Sequence, residues 1–307
     1  MDKITVIMAS YNGERYIREQ IDSIFKNAYP DLELHIFDDG STDHTVALIE
    51  ECKGFYPGQI FLHKNPSNQG VVRNFLLGAM KLESDYYMFA DQDDVWMPDK
   101  IKKTLACIKE VEEQEGVTTP AAVFTDAVVT DIDLQELHPS FHRQSGLDCG
   151  LIDFNHMLME NKVIGCTLMF NRALWDKLRK LPEGIRWHDW WIGLVASGLG
   201  NLSYLPEPTM YYRQHGDNVV GNQNFLKYAW ERFSNIFGQK KVILKTIRQA
   251  QAFYEVYYGE LDGERKKTLH IFCKLCKINW FRRRYLLLSY HFLKSGLLRN
   301  VGLLLVV

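Results

Sequence analysis

Long apolar runs are missing from this 307-residue chain: none approaches the roughly 18 residues that a membrane-spanning helix needs. Met1 leads almost directly into the strand-like segment Ile4–Met8, without the basic and apolar regions typical of a signal peptide. The phosphate-cradling pattern GxxxxGK[ST] is missing too, which argues against a nucleoside-triphosphate motor. No repeat or low-complexity segment is visible. We therefore expect a globular cytoplasmic protein.

Cysteine is sparse, with six residues scattered along the chain. Such usage is typical of reduced thiols in the cytosol. Cys273 and Cys276 form a CxxC spacing, but no second Cys/His pair lies nearby in the sequence, so a structural zinc site is not expected.

Charge is distributed unevenly, although the net charge is only -2. Residues 1–224 contain 20 Lys and Arg against 33 Asp and Glu, whereas residues 225–307 contain 16 against 5. This asymmetry predicts a domain at 1–224, with halves 1–100 and 101–224, followed by a basic helical region at 225–307.

Strand-like and helix-like segments alternate through the first hundred residues. The strand-like segments are Ile4–Met8, Leu32–Phe37, Ile60–His63 and Tyr86–Ala90, and the helical ones follow Ile17, Asp43 and Val71. This alternation predicts an α/β fold with a Rossmann-like, mostly parallel sheet flanked by helices. Further on, strands are expected at Ala121–Phe124 and Val163–Phe170, with a helix near Arg172–Lys180.

Polar clusters follow three of these strands, at Ala9–Glu14, Asp38–Asp43 and Asp91–Asp94. Because ligands bind beyond the carboxyl ends of parallel strands, the clusters predict one shared site. Closely spaced carboxylates suit Mg²⁺ or Mn²⁺, which usually arrive with a phosphate-bearing substrate. The alternatives are plain turns with helix caps at Thr42, Asp43 or Asp94.

Two later segments combine aromatic and ionisable residues. In Arg186–Trp191, aromatic rings beside Asp189 suit a sugar, although a capped helix start with buried tryptophans is the alternative. The segment Tyr211–Asn218 includes Arg213 and His215, whose side chains are candidates for a diphosphate or metal, or ordinary loop residues.

The basic C-terminal region places Arg282–Arg284 among aromatic residues. This composition favours a helix lying on an anionic membrane surface. A homodimer interface, or docking onto the acidic N-terminal part, is the alternative. No nucleic-acid-binding module is recognisable, so we expect no nucleic-acid partner.

Taken together, these motifs resemble the family 2 inverting glycosyltransferases of GT-A fold, and among them bacterial rhamnosyltransferases of cell-surface polysaccharide synthesis. The resemblance covers roughly residues 3–222 and rests on six motifs: Ser10–Glu14, Asp38–Asp43, Asn68–Gly70 with Arg73 and Asn74, Asp91–Trp96, His188–Trp191 and Tyr212–His215.

The resemblance implies a role for each position. The nucleotide of the sugar donor would be held by Tyr11, Glu14, Asp39, Arg73 and Gln92, together with Ala9, where some relatives carry a threonine. The metal would be held by Asp91, Asp93 and His215. Asp189 would be the catalytic base, and His188, Trp190 and Trp191 would shape the acceptor pocket.

The implied reaction is metal-dependent transfer of a sugar with inversion, without a covalent intermediate. TDP-L-rhamnose is the first choice of donor, and UDP-hexoses or UDP-N-acetylhexosamines are the alternatives. The acceptor would be a lipid-linked glycan at the inner face of the cell membrane. Two alternative functions were compared with this one. A nucleotidyltransferase is disfavoured, because no Gly-rich basic loop follows the first strand. The other alternative is a non-catalytic carbohydrate-binding relative.

Overall fold

A computed structural model describes residues 2–215 and 236–307. Its strands are β1 Ile4–Ser10, β2 Leu32–Asp38, β3 Ile60–Lys64, β4 Tyr86–Ala90, β5 Val95–Trp96, β6 Ala121–Thr130, β7 Glu136–His138, β8 Met169–Asn171 and β9 Asn201–Arg213. Its α-helices are α1 Ile17–Phe25, α2 Thr45–Phe55, α3 Val71–Ala79, α4 Lys100–Glu115, α5 Phe141–Ser145, α6 Phe154–Met159, α7 Arg172–Leu178, α8 His188–Leu199, α9 Ile236–Tyr257, α10 Gly263–Lys274, α11 Trp280–Ser289 and α12 Leu297–Val306.

The strands form one sheet in the order β3-β2-β1-β4-β8-β6-β9-β5, with β7 beside β6. The first four strands pair in parallel, whereas β8 pairs antiparallel with both β4 and β6. The α/β prediction is therefore confirmed, and the later strands make the sheet mixed. Because β1, β2 and β4 are parallel neighbours, their carboxyl ends lie at one edge.

Helices cover both faces of the parallel strands. On one face, alternate residues such as Val6, Leu34 and Met88 are fully buried in a cluster with apolar residues of α1, α2 and α4. On the other face, Phe75 of α3 packs 4.9 Å from Phe89, measured between ring centroids. Burial on both faces explains why these strands are nearly continuous apolar runs.

The predicted strand at Val163–Phe170 is wrong over most of its length. Gly165–Thr167 forms a 3₁₀ turn, in which Thr167 Oγ1 donates to Ile164 O at 2.8 Å. The strand begins only at Met169. An apolar run does not distinguish an extended segment from a buried turn, because both satisfy the same need for burial.

The chain divides into two compact units, and each consists of several segments. The first comprises Met1–Phe141, Val163–Arg179 and Ser203–Gln214; the second comprises His142–Lys162, Lys180–Leu202 and His215–Val307. Residues 142–162 and 180–202, which the charge distribution places in the N-terminal domain, belong to the second unit. The expected boundary at residue 224 lies outside the described residues.

The described part of the C-terminal region is helical, as expected, and consists mainly of α9 to α12. Within residues 2–215 and 236–307, no helix is both long and apolar enough to cross a membrane. All six cysteines are free of disulfide bonds.

Candidate active site

Hydrogen bonds join the loop after β1 to the loop after β4. Tyr11 N–H donates to Gln92 Oε1 at 2.9 Å, and Gln92 Nε2 donates back to Tyr11 O at 3.0 Å. Gly13 completes the contact, because a Cβ at that position would lie 2.2 Å from Gln92 Oε1. The pairing leaves the Tyr11 ring exposed at the sheet edge, where a planar base can stack on it.

Asp39 lies buried just after β2 and organises the loop that precedes α3. Its Oδ1 accepts from Gln69 N–H at 2.7 Å and Asn65 Nδ2 at 2.9 Å, and its Oδ2 accepts from Gly70 N–H at 2.9 Å. Gly70 has a φ of +78°, a conformation that favours glycine. A carboxylate has about four lone-pair positions, so capacity for one more donor remains.

Glu14 serves a local role at the start of α2. Its Oε2 accepts from both the backbone N–H and Nδ1 of His44, at 2.8 and 2.9 Å. The backbone hydrogen bond from His44, followed by that from its ring, lowers the pKa of the Glu14 carboxyl. These two hydrogen bonds give Glu14 a structural function at the same edge where its nucleotide role was predicted.

The acidic loop after β4 is arranged differently from the predicted pair. Asp91, Asp94 and Cys166 each offer a ligand atom, and these atoms lie within 4.8 Å of one another. Asp94 is buried, and its Oδ2 has no hydrogen-bond partner among the described residues. The carboxylate oxygens of Asp91 and Asp94 suit a hard divalent cation, whereas the sulfur of Cys166 is a soft ligand that such an ion does not prefer.

Asp94 does not cap the following helix, which corrects one alternative of the sequence analysis. Helix α4 begins at Lys100, and its N-cap position is Asp99. Burial holds the pKa of Asp94 well above its usual range, and the charges of Asp93 and Asp91 raise it further. The third acid of the motif is therefore part of the interior beneath the loop.

Arg213 fixes the acidic loop from within the protein. Its Nε donates to Asp93 O at 2.9 Å, and its backbone N–H donates to Asp94 Oδ1 at 3.2 Å. The rest of the guanidinium donates to Ile132 O and pairs with Glu19. The guanidinium of Arg213, a candidate diphosphate ligand from the sequence, is thus engaged in hydrogen bonds within the protein. Its fixed position was not visible in the sequence, because its partners lie 81 to 194 residues away.

Three predicted site residues remain, namely Ala9 on β1, Arg73 on α3 and His215 after β9. Ala9 pairs with Phe37 between β1 and β2. Arg73 is exposed in the first turn of α3, two residues after Val71. His215 belongs to the second unit and is the last described residue before 216–235.

Asp189 lies in the first turn of α8, not at its N-cap, which is Trp187. Its Oδ1 accepts from Trp190 N–H at 2.6 Å, and its Oδ2 accepts from Asn161 Nδ2 at 3.0 Å. Burial raises the pKa of the Asp189 carboxyl to about 6, although both hydrogen bonds lower it. A carboxylate with a pKa close to neutral pH is suited to accept a proton. Asn161 was missed, because its own sequence context carries no motif.

The tryptophans after Asp189 are core residues. Trp190 is buried and its Nε1 donates to Met157 O at 2.7 Å, while Trp191 packs against Phe253 and Tyr257. The expectation that a sugar stacks on these two rings is therefore not met. Trp187 is the exposed aromatic residue of the segment.

His188 is buried as well, and burial lowers the pKa of its imidazole to about 3. It is therefore neutral at physiological pH. A neutral ring can still donate or accept one hydrogen bond, but it contributes no charge to an acceptor pocket.

Solved structures share the fold of this chain. TarS from S. aureus in complex with UDP-GlcNAc matches 99% of this chain and 90% of that one, with a TM-score of 0.56 and 16% identity. The mannosyltransferase PcManGT from Pyrobaculum calidifontis, in complex with GDP-Man and Mn²⁺, matches 94% of this chain and 73% of that one, with a TM-score of 0.56 and 17% identity. The fold is that of the GT-A glycosyltransferases.

Sequence comparison identifies the family. The family model described as glycosyl transferase family 2 matches residues 5–173. The dTDP-rhamnosyl transferase RfbG from Shigella flexneri is 30% identical over 244 residues, which cover 73% of this chain and 77% of that protein. The chain belongs to glycosyl transferase family 2, and it is a glycosyltransferase.

Proposed function

We propose that this protein transfers L-rhamnose from TDP-L-rhamnose to a hydroxyl group of a glycan acceptor, with inversion at the anomeric carbon. Two groups of carboxylates support sugar transfer in general. Acidic residues lie at the sheet edge after β4, and Asp189 on α8 has a raised pKa. The rhamnosyl donor is supported by the 30% identity to RfbG.

The nucleotide would lie at the edge formed by the loops after β1 and β2. Tyr11 offers its exposed ring to the base, and Asp39 has remaining acceptor capacity for a ring N–H. Arg73, exposed on α3, offers a positive charge to the phosphates. Ala9, Glu14 and Gln92 complete the proposed nucleotide-binding set, with Gln92 acting through the backbone of Tyr11.

Asp91 and Asp93 are the proposed ligands of Mn²⁺ or Mg²⁺, with His215 as a further ligand. A divalent cation supplies stabilisation of the negative charge that develops on the leaving diphosphate. Arg213 keeps the loop in place, because its Nε donates to the backbone O of Asp93 and its backbone N–H donates to Asp94 Oδ1. The Mn²⁺ complex of PcManGT supports the choice of cation.

Asp189 is the proposed catalytic base. Its carboxylate would remove the proton from the acceptor hydroxyl as that oxygen attacks the anomeric carbon, so that the C–O bond to the diphosphate breaks in the same step. His188, Trp190 and Trp191 would support the acceptor pocket from the protein interior, because they are buried. Exposed Trp187 is the better candidate for contact with an acceptor sugar.

A panel of nucleotide sugars would test the choice of donor. Ligands that bind only the native state raise its stability by mass action, by about 2.7 kcal/mol at a hundredfold excess over Kd. We expect TDP-L-rhamnose with Mn²⁺ to raise the melting temperature more than TDP-glucose, UDP-glucose or UDP-GlcNAc. Greatest stabilisation by UDP-GlcNAc would favour the alternative donor that the TarS complex suggests. Equal shifts with and without Mn²⁺ would contradict the metal role.

We also propose that helices α11 and α12 attach the protein to an anionic membrane surface, where a lipid-linked glycan acceptor would be found. Exposed apolar residues recur at helical spacing on each helix: Phe281, Tyr285 and Leu288 on α11, and Leu297, Leu298, Val301 and Leu305 on α12. Phe281 and Leu297 are each 80% exposed. Such a face belongs against an apolar partner.

The charges around these helices favour a membrane over a second copy of the chain. Residues 225–307 carry 16 basic and 5 acidic residues, so two copies would repel each other there. Exposed Arg282 lies next to Phe281, and Arg284 stacks over the Trp280 ring with its guanidinium carbon 3.5 Å from the ring centroid. Basic residues beside aromatic ones are typical of helices at the surface of anionic bilayers.

Liposome flotation tests this attachment. We expect the full chain to float with vesicles of phosphatidylglycerol and phosphatidylcholine, but not with phosphatidylcholine alone. The variant Phe281→Glu should lose most of the binding, whereas Phe55→Glu should float normally, since Phe55 is also exposed but lies on α2. No flotation of the wild type, or equal loss in both variants, would contradict the proposal. A dimer in solution that Phe281→Glu dissociates would favour the homodimer instead.

A further inference from the structure

The side chain of Asn161 contacts the carboxylate that the proposed reaction needs, and no motif or comparison assigns it a role. It lies between α6 and the 3₁₀ turn that starts at Gly165. Its Nδ2 lies 3.0 Å from Asp189 Oδ2. We propose that Asn161 is a positioning residue that orients the Asp189 carboxylate and favours its basic form. This inference rests on the proposed function of Asp189.

The two oxygens of Asp189 are held from different directions. Trp190 N–H donates to Oδ1 at 2.6 Å, and the Asn161 amide donates to Oδ2. Two bonds on two oxygens prevent rotation of the carboxylate about its Cβ–Cγ bond, yet they leave lone pairs for an acceptor hydroxyl. A hydrogen bond to an ionised carboxylate also stabilises that form, which counteracts the burial around Asp189.

Asn161 is itself held by its neighbours in the chain. Glu160 accepts from Ser295 N–H and Oγ, both at 2.6 Å, and from Arg299 Nη1 at 3.1 Å. On the other side, His142 Nε2 contacts Lys162 O at 2.9 Å. Because the side chain of Glu160 and the backbone O of Lys162 are both held, the amide of Asn161 between them stays within range of Asp189.

Charged groups on the surrounding elements have partners other than Asp189. Asp153, the N-cap of α6, contacts His156 at 2.5 Å, and Lys162 Nζ lies 3.8 Å from Glu160 Oε2. Arg186, just before α8, donates to Thr246 Oγ1 at 2.7 Å and lies over the Trp190 ring. His188 is neutral near pH 7. Among the residues that the structure describes, the neutral amide of Asn161 is therefore the side chain that donates a hydrogen bond to Asp189.

The test compares pH profiles of kcat/KM for TDP-L-rhamnose turnover with Mn²⁺. In the wild type we expect activity to fall as the pH drops below about 6, because Asp189 must be ionised to accept a proton. In Asn161→Leu the acid limb should move up by about one pH unit, because the bond that favours the ionised form is lost. Activity should then be about fivefold lower at pH 6 but recover at higher pH, whereas a merely structural defect would lower it at every pH.

Two further variants complete the test. Asn161→Asp is nearly isosteric and places a second carboxyl beside Asp189, so it should move the acid limb up at least as far, even if Asn161→Leu fails to fold. Asn155→Leu is the matched control: it removes an amide that donates to Tyr290 O at 2.9 Å in the same unit, and its acid limb should stay in place.

The outcomes separate the two proposals. An unmoved acid limb in both Asn161 variants, with Asp189→Asn inactive, overturns the role of Asn161 and leaves the base assignment standing. Turnover that persists in Asp189→Asn overturns both.

Discussion

Replacing Asp189 with asparagine is expected to lower kcat for sugar transfer by about 10²–10⁴-fold, the usual contribution of a general base. The amide cannot take up the acceptor proton, but it keeps the shape of the carboxyl group. Binding of the nucleotide sugar should stay nearly unchanged, because the proposed nucleotide contacts lie in the loops after β1, β2 and β4. Calorimetric titration of the donor and a single-turnover assay would measure the two quantities separately.

Stability provides the control for this variant. The pKa of Asp189 is raised to about 6 in the folded state, above its unfolded value, so its contribution to stability is present at low pH and is lost as the pH rises through about 6. At pH 7.5 the variant should therefore unfold at the same temperature as the wild type or higher. Wild-type turnover in Asp189→Asn would contradict the base assignment, and a much lower melting temperature would indicate a structural role.

Replacing Asp93 with asparagine is expected to weaken Mn²⁺-dependent binding of the sugar donor by about 100-fold or more, since even partners of metal ligands typically contribute 10–100-fold. Asp91→Asn should have a similar effect. Calorimetry with the nucleoside diphosphate, at several Mn²⁺ concentrations, would measure the loss. Asp99→Asn is the control, because Asp99 follows the same loop but pairs with Lys103 at 2.8 Å.

The structure provides an alternative set of metal ligands against which the assignment of Asp93 can be tested. Asp91, Asp94 and Cys166 have ligand atoms close together, whereas Asp93 is held through its backbone by Arg213. If Asp93→Asn keeps full metal dependence while Asp94→Asn loses it, the ion is held by the deeper set and the assignment of Asp93 is wrong. Asp94→Asn should be compared by melting temperature as well, because Asp94 is buried.

Local patterns predicted the first hundred residues well. Strands such as Tyr86–Ala90 are apolar runs followed by turn residues, and the alternation with helices left few alternatives for the topology. The same reasoning failed at Val163–Phe170, where a buried 3₁₀ turn has the composition of a strand. An apolar composition indicates that a segment is buried, but its backbone conformation depends on the elements that pack around it.

The site was predictable where its residues follow strands, as Tyr11, Asp39 and Asp91 do. It was unpredictable where a side chain acts on a distant segment. Arg213 contacts the acidic loop 120 residues earlier in the chain, and Asn161 contacts Asp189 28 residues later. Single-sequence patterns carry no record of such pairings, because neither partner changes the periodicity around it.

The sequence by itself determined the class of fold, the family and the residue types of the proposed chemistry, since these depend on periodicity and on motifs of neighbouring residues. Only the tertiary structure decided which acids lie together, that Trp190 and Trp191 are core residues, and that Asn161 contacts Asp189. Burial and the direction of a hydrogen bond are properties of the packed chain. The pKa of Asp189, raised to about 6, follows from its burial and its hydrogen bonds. It could not be derived from the residues around Asp189 in the sequence.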